Sequence, residues 1–168
     1  MEIAILSDTH NGSRNDALPM QAAMRKFYET IFFPTLDAHH VSVVLHAGDF
    51  FDRRKFCNIA TAHFVNEVYG VPMRKRDIVQ HVLTGNHDIY YRHSTEVNSL
   101  TEFYRHDDSV YIYTQPAEIA IGDCEILMLP WIADNNRAAT MNLIQTSTCP
   151  IVLGHLEVAG FQMYKGIP

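Results

Sequence analysis

Cysteine is scarce in this chain. Cys57, Cys124 and Cys149 are the whole complement among 168 residues. Three thiols cannot form an even disulfide framework, and their spacing suits no thiolate metal site. They read as reduced thiols in a cytoplasmic protein, with Cys124 in the core. Long apolar runs are also missing: nothing approaches the ~20 residues of a membrane span. The first residues, Glu2-Ile3-Ala4-Ile5-Leu6, open directly on a strand-like run, without the basic region or cleavage site of a secretory leader. Repeats, low-complexity tracts and linkers are lacking too, which leaves a single domain with a real core. Positive charge is in deficit, 13 Lys and Arg against 19 Asp and Glu, a formal net charge of −6. That balance excludes a protein that coats polyanions nonspecifically.

What is present is ordinary in amount and unusual in placement. Alternating apolar runs and helical periodicities set out the elements. Residues 3–6 read as a short buried strand, and Val41–Leu45, Ile78–Leu83 and Ile151–Leu153 as further ones. Met20, Met24, Phe27 and Ile31 mark a helix that Pro34 should kink or end. Ile59–Val68 reads as a second helix, ended by Gly70-Val71-Pro72. A third is expected near Thr95–Tyr104 and a fourth over Asn135–Ile144. Val110–Tyr113 reads as a strand, and Ala117–Ile121 with Glu125–Leu129 as a hairpin turning at Gly122-Asp123. Strands alternating with helices and then following one another predict an α/β sandwich with mixed central sheets flanked by helices.

Four polar clusters fall where predicted strands end: Asp8-Thr9-His10, Gly48-Asp49-Phe50-Phe51-Asp52, Gly85-Asn86-His87-Asp88 and Gly154-His155. Loops beyond the carboxyl ends of strands converge in open α/β sheets, so distant clusters can meet. Each cluster alone fits an ordinary polar turn. Their joint order and placement point instead to carboxylates, imidazoles and one amide around a pair of divalent cations. Asp8 and His10 alternate, and in extended backbone they share a face. Asp49 has two oxygens and can bridge two ions. Asn86 supplies a neutral carbonyl oxygen and His155 an imidazole. His87 suits proton donation to a departing oxygen. Asp52 and Asp88 suit orientation of imidazoles. Oxygen and nitrogen donors without thiolate favour manganese, magnesium, iron or zinc, and a pair of such ions serves phosphate-ester hydrolysis. Bound ions would also reduce the net charge to about −2.

Arg53, Arg54 and Lys55 follow the second cluster and suit contact with a phosphate. Tyr90, Tyr91 and Arg92 extend the His87 loop; the tyrosines either stack on an unpaired base or pack the loop. Arg74-Lys75-Arg76 reads as a solvated turn. His46 points into or beneath the site without acting as a ligand.

The ordered set Asp8-x-His10, Gly48-Asp49-x-x-Asp52, Gly85-Asn86-His87-Asp88 and Gly154-His155 resembles the calcineurin-like metallophosphoesterase superfamily. The run His46 to Lys55 is similar to SbcD-type DNA repair nucleases. Leu129-Pro130-Trp131-Ile132 and Gly154 to Phe161 are similar to bacteriophage recombination endonuclease subunits. The resemblance runs from residue 3 to about 166. It implies a metal-dependent DNA nuclease subunit, a 3′-to-5′ exonuclease and single-strand endonuclease, acting in recombination and break repair in the host cytoplasm. It further implies Mn2+ with Mg2+ as the alternative, a coiled-coil ATPase partner of the SbcC type, and a homodimer. Asp8, His10 and Asp49 would hold one ion, and Asp49, Asn86 and His155 the other, with His87 assisting the leaving group. The family adds a Gly-His-x-His cluster that these 168 residues do not contain. The expectation is a single N-terminal nuclease domain over 1–168, incomplete at its C-terminus, in which each ion lacks one ligand. Two other readings compete: a phosphoesterase acting on small nucleotides or phosphoproteins, and a non-catalytic module recruiting an ATPase.

Overall fold

The computed structural model describes residues 1–160; Phe161 and the few positions after it lie outside the described residues. The first half alternates strand and helix. Strand β1 (Ala4–Leu6) leads to helices α1 (Leu18–Phe27) and α2 (Phe33–Ala38), then to β2 (Val43–His46). Helices α3 (Ile59–Val65) and α4 (Val71–Lys75) precede β3 (Val79–Leu83), a hairpin of β4 (Ile89–Tyr91) and β5 (Ser94–Asn98), and α5 (Ser99–Phe103). Strands β6 (Val110–Tyr113), β7 (Ala117–Ile121) and β8 (Cys124–Leu129), helix α6 (Arg137–Thr146) and strand β9 (Ile151–Gly154) complete it.

Strands β1, β2, β3 and β6 form one parallel sheet in the order β1-β2-β3-β6, and β7-β8-β9 form a second in which β8 pairs antiparallel with β7 and parallel with β9. Both faces of β2 are covered, which is why its four residues are all buried and the first three, Val43 to Leu45, read as a continuous apolar run. Val44 belongs to the core beneath the helices, while Val43 and Leu45 face the second sheet through Leu83, Ile121, Ile126 and Met128. This is the mixed α/β sandwich that the sequence pattern predicts. No helix among the described residues is long and apolar enough to cross a membrane.

Three expectations need correction. Pro34, expected to kink or end its helix, does not end it. Tyr28–Phe32 forms a widened turn in which Phe33 N–H donates to Tyr28 C=O, five residues back, and α2 resumes with Pro34 in its first turn. Asn66–Gly70 repeats the device, with Val71 N–H on Asn66 C=O and Pro72 in the first turn of α4. The wider turn makes room for the ring and removes the need for a proline N–H. The third correction concerns Thr95–Tyr104, where only Ser99–Phe103 is helical. Asn98 caps that helix by accepting the Thr101 N–H at 2.8 Å, and the residues before it pair with β4.

Candidate metal centre and active site

The second loop is fixed from below. Phe50 and Phe51 are buried in the core, Phe50 edge-on to Tyr69 at 5.6 Å and Phe51 edge-on to Phe103 at 5.2 Å. Each ring contributes roughly 2 kcal/mol by burial, so the loop carrying Asp49 and Asp52 is anchored at its centre. The first loop is zipped onto it by main-chain bonds: Asp8 N–H to Gly48 C=O, His10 N–H to Asp49 C=O, Asn11 N–H to Phe50 C=O and Asp52 N–H to Asn11 C=O.

Asp8, His10 and Asp49 have φ of 52°, 41° and 53°. The extended geometry expected for Asp8 and His10 is therefore not what brings them together; left-handed turns do. Such backbone costs non-glycine residues of order 1 kcal/mol each and persists only where the surroundings enforce it. Here the inter-loop ladder does so.

Beneath these turns lies a network that the sequence reading located only in part. His46 is fully buried and accepts the Gly48 N–H on Nδ1 at 3.2 Å, so its proton sits on Nε2, 3.2 Å from Thr9 Oγ1. Thr9 donates to Phe50 C=O, and Asn11 Nδ2 donates to both Thr9 Oγ1 and Phe50 C=O. Thr9 and Asn11 went unread, although a β-branched hydroxyl between two ligand-type residues was the available signal. Burial pushes the His46 imidazole down to about 3, with Asp8 opposing and His155 and His10 adding to the push. Stability from neutral His46 is thus complete above pH 6.5 and lost as pH falls toward 3. In urea melts, His46→Gln is expected to gain on the wild type by about 1.4 kcal/mol for each pH unit below 6.5. A constant difference across pH would remove His46 from this account.

Asp88 does not touch an imidazole as expected. It is buried and accepts main-chain N–H groups from Phe50, Phe51 and Gly85, which ties the second loop to the third. Burial raises its carboxyl to about 6, against the lowering effect of those bonds. Asp52 does meet imidazoles: its carbonyl accepts from His87 Nδ1, and its carboxylate lies 3.6 Å from His10 Nδ1.

The donors then converge. His10 Nε2 lies 3.7 Å from Asp8 Oδ1 and 3.6 Å from Asp49 Oδ2. These separations exceed a hydrogen bond and lie a few tenths of an ångström beyond the ~3–3.5 Å between two ligands of one ion at ~2.1 Å. His155 donates its Nδ1 proton to Ala47 C=O at 2.8 Å, which leaves a lone pair on Nε2. That lone pair faces Asn86 Oδ1 at 3.1 Å and Asp49 Oδ1 at 3.5 Å. Acceptors crowded without a proton call for either ring protonation or a cation, and the donor set fits a cation. Two groups have the compactness of a metal site: His10, Asp49 and His87, and Asp8, Asp49 and His155. Asp49 belongs to both. Beyond the expected sets, His87 stands within reach of His10 and Asp49, and Asp8 within reach of Asp49 and His155.

A matching sequence profile spans nearly all of the chain: that of the calcineurin-like phosphoesterase family covers residues 1–164. The chain is a calcineurin-like phosphoesterase. This phosphoesterase is also similar to a protein of Enterobacteria phage T4 named Exonuclease subunit 1, 30% identical over 127 residues. That match takes in 76% of the chain and 37% of the relative, so the chain spans well under half the relative's length. Among solved structures, a protein of unknown function from Aquifex aeolicus has 15% identity and a TM-score of 0.49, covering 93% of this chain and 79% of that one.

Around the phosphoesterase centre, the residues expected to meet phosphate divide. Arg53 is taken up by Asp16 at 2.6 Å, and Asp16 also accepts from Thr61 at 2.6 Å. Those bonds, Thr61 foremost and then Arg53, hold the Asp16 carboxyl below its ordinary value. They also brace a left-handed turn through Arg14, Asn15 and Asp16. Arg53 is therefore a bracket between loops and not a free cation. Arg54, Lys55, Tyr90, Tyr91 and Arg92 instead share an open cleft of about 560 Å³ with Asp52 and His87. Trp131, left unassigned by the sequence, sets its ring against His155 at 6.1 Å.

Proposed function

We propose that this chain hydrolyses phosphodiester bonds of DNA as the nuclease subunit of a recombination and repair assembly. The observation that carries the reading is Asp49, shared by two compact donor groups beside a cleft edged with cations and aromatic rings. The T4 relative's name supports both nuclease chemistry and membership of a larger assembly. Asp8, His10, Asp49, Asn86 and His155 would hold a pair of divalent ions, Mn2+ or Mg2+ by donor type. Such a pair supplies positive charge to the phosphoryl oxygens and acidifies an attacking water. A coiled-coil ATPase of the SbcC type and a second copy of the chain are the partners proposed with it.

The chain's own residues account for the proton. His87 Nδ1–H is committed to Asp52 C=O, and its main-chain N–H donates to Asp49 Oδ1 at 2.8 Å. The ring is thereby turned so that Nε2 is the atom left to carry a proton to the departing oxygen. His10 edges onto it with ring centroids 5.0 Å apart. A second role rests on the same geometry, because His87 also stands in a donor group with His10 and Asp49.

His87→Ala separates the two roles. The expected result is a ~10²–10⁴-fold loss of turnover on labelled single-stranded DNA, with Mn2+ stoichiometry by calorimetry unchanged. Occupancy that fell along with the rate would make His87 a ligand, and wild-type rates would remove it from the chemistry. Hydrolysis of bis(p-nitrophenyl) phosphate with no cleavage of DNA by the wild type would favour a small-ester phosphoesterase instead.

A further inference from the structure

The β4–β5 hairpin leaves the metal centre directly, since β4 begins one residue after Asp88. Its base is fixed. Ile89 and Thr95 are fully buried, Ser99 N–H donates to Asp88 C=O, and Thr95 Oγ1 donates to Thr114 C=O. Its tip is different: Tyr90, Tyr91, Arg92 and His93 are all exposed, with Tyr91 47% accessible. The core tyrosines Tyr28, Tyr69 and Tyr104 are at most 6% accessible, and the exposed Tyr111 is stacked on His81 at 5.1 Å. The two tip tyrosines meet edge to face at 4.7 Å, and Tyr91 leans on His93 at 5.5 Å. Lys55 Nζ covers the Tyr90 ring at 5.1 Å, which parks its charge at the cleft. Tyr90 and Lys55 also wall a neighbouring apolar groove, whereas Tyr91 lines the cleft alone, in the company of His87 and Arg92.

We infer that Tyr91 is a stacking platform for an unpaired nucleobase next to the scissile phosphate, with Lys55 and Arg92 taking the adjoining phosphates. This deepens the nuclease reading and rests on it: the strand enters single, because a paired base inside a duplex offers no free face to a side chain. Selection comes from stacking and is therefore tolerant of base identity. Cations at the cleft supply locally what the chain's net charge of −6 denies globally.

The test is binding of fluorescein-labelled oligo(dT) by anisotropy, at low ionic strength in EDTA, so that no hydrolysis intervenes. Oligo(dT) is expected to bind more tightly than a duplex of equal length. Tyr91→Ala is expected to lose about 5- to 150-fold on oligo(dT), and nothing further on a strand made abasic throughout. Tyr91→Trp should restore binding. Equal affinity for duplex and single strand, wild-type affinity in Tyr91→Ala, an equal loss on the abasic strand, or no binding of any strand would each overturn the inference. The hydrolytic reading fails on separate grounds, namely wild-type protein that cleaves neither DNA nor bis(p-nitrophenyl) phosphate with Mn2+.

Discussion

Asp49→Ala is expected to empty both metal positions at once. Calorimetric titration with Mn2+ should fall from two equivalents to none measurable, an affinity loss of at least about 10²-fold. Partners outside the ligand set alone govern 10- to 100-fold effects in metal sites, and Asp49 stands inside both donor groups. One oxygen lies toward His10 and the other toward His155, at 3.6 and 3.5 Å. The side chain is almost fully buried, and it also fixes the His87 main chain. Truncation would therefore remove the proposed common ligand and loosen the proposed proton donor in one step. Asp8→Ala is the comparison: Asp8 belongs to a single group and its side chain is half exposed, so one equivalent should remain. Two ions retained in Asp49→Ala would refute the shared-ligand assignment.

Gly85→Ala is expected to be nearly as damaging, for a steric reason. A Cβ at Gly85 would lie 2.2 Å from Asp49 Oδ1 and 2.3 Å from the Asp49 main-chain nitrogen. The second contact is with backbone, so no side-chain rotation relieves it, and the second and third loops must separate. Gly48 makes the same approach from the other side, its own absent Cβ only 3.0 Å from the Gly85 Cα. Gly48 has φ of 102° as well, which side chains rarely tolerate. Overpacking of this kind costs about 3 kcal/mol, or roughly 6–12 °C in melting temperature for a chain of this size. Mn2+ binding should weaken in parallel. An unchanged melt with full metal stoichiometry would show that the loops can part without consequence.

Some of this site was readable because its chemistry is local. Asp8, His10, Asp49, Asn86, His87 and His155 each sit just beyond an apolar run, and the end of a buried strand is legible from the run itself. The prolines misled for an equally local reason. Pro34 and Pro72 ordinarily stop a helix, yet a widened turn before each lets the helix continue, and nothing in residue type announces that turn. Ser94–Asn98 carries enough helical periodicity to suggest a helix, and pairing with Ile89–Tyr91 overrode it. Arg53 looked like a free cation beside Arg54 and Lys55. Only the fold brings Asp16 to it across 37 positions of chain.

Residue order by itself determined the alternation of strand and helix, the absence of a thiolate site, and the set of oxygen and nitrogen donors. Those properties follow from periodicity and from side-chain chemistry, which are carried by each residue and its near neighbours. Tertiary structure alone decided which donors lie within reach of one another, that His87 stands with His10 and Asp8 with His155, and that Asp88 braces main chain while His46 lies buried underneath. Grouping depends on which lone pairs come within a few ångströms of one another, and that distance is set by loops meeting across a sheet.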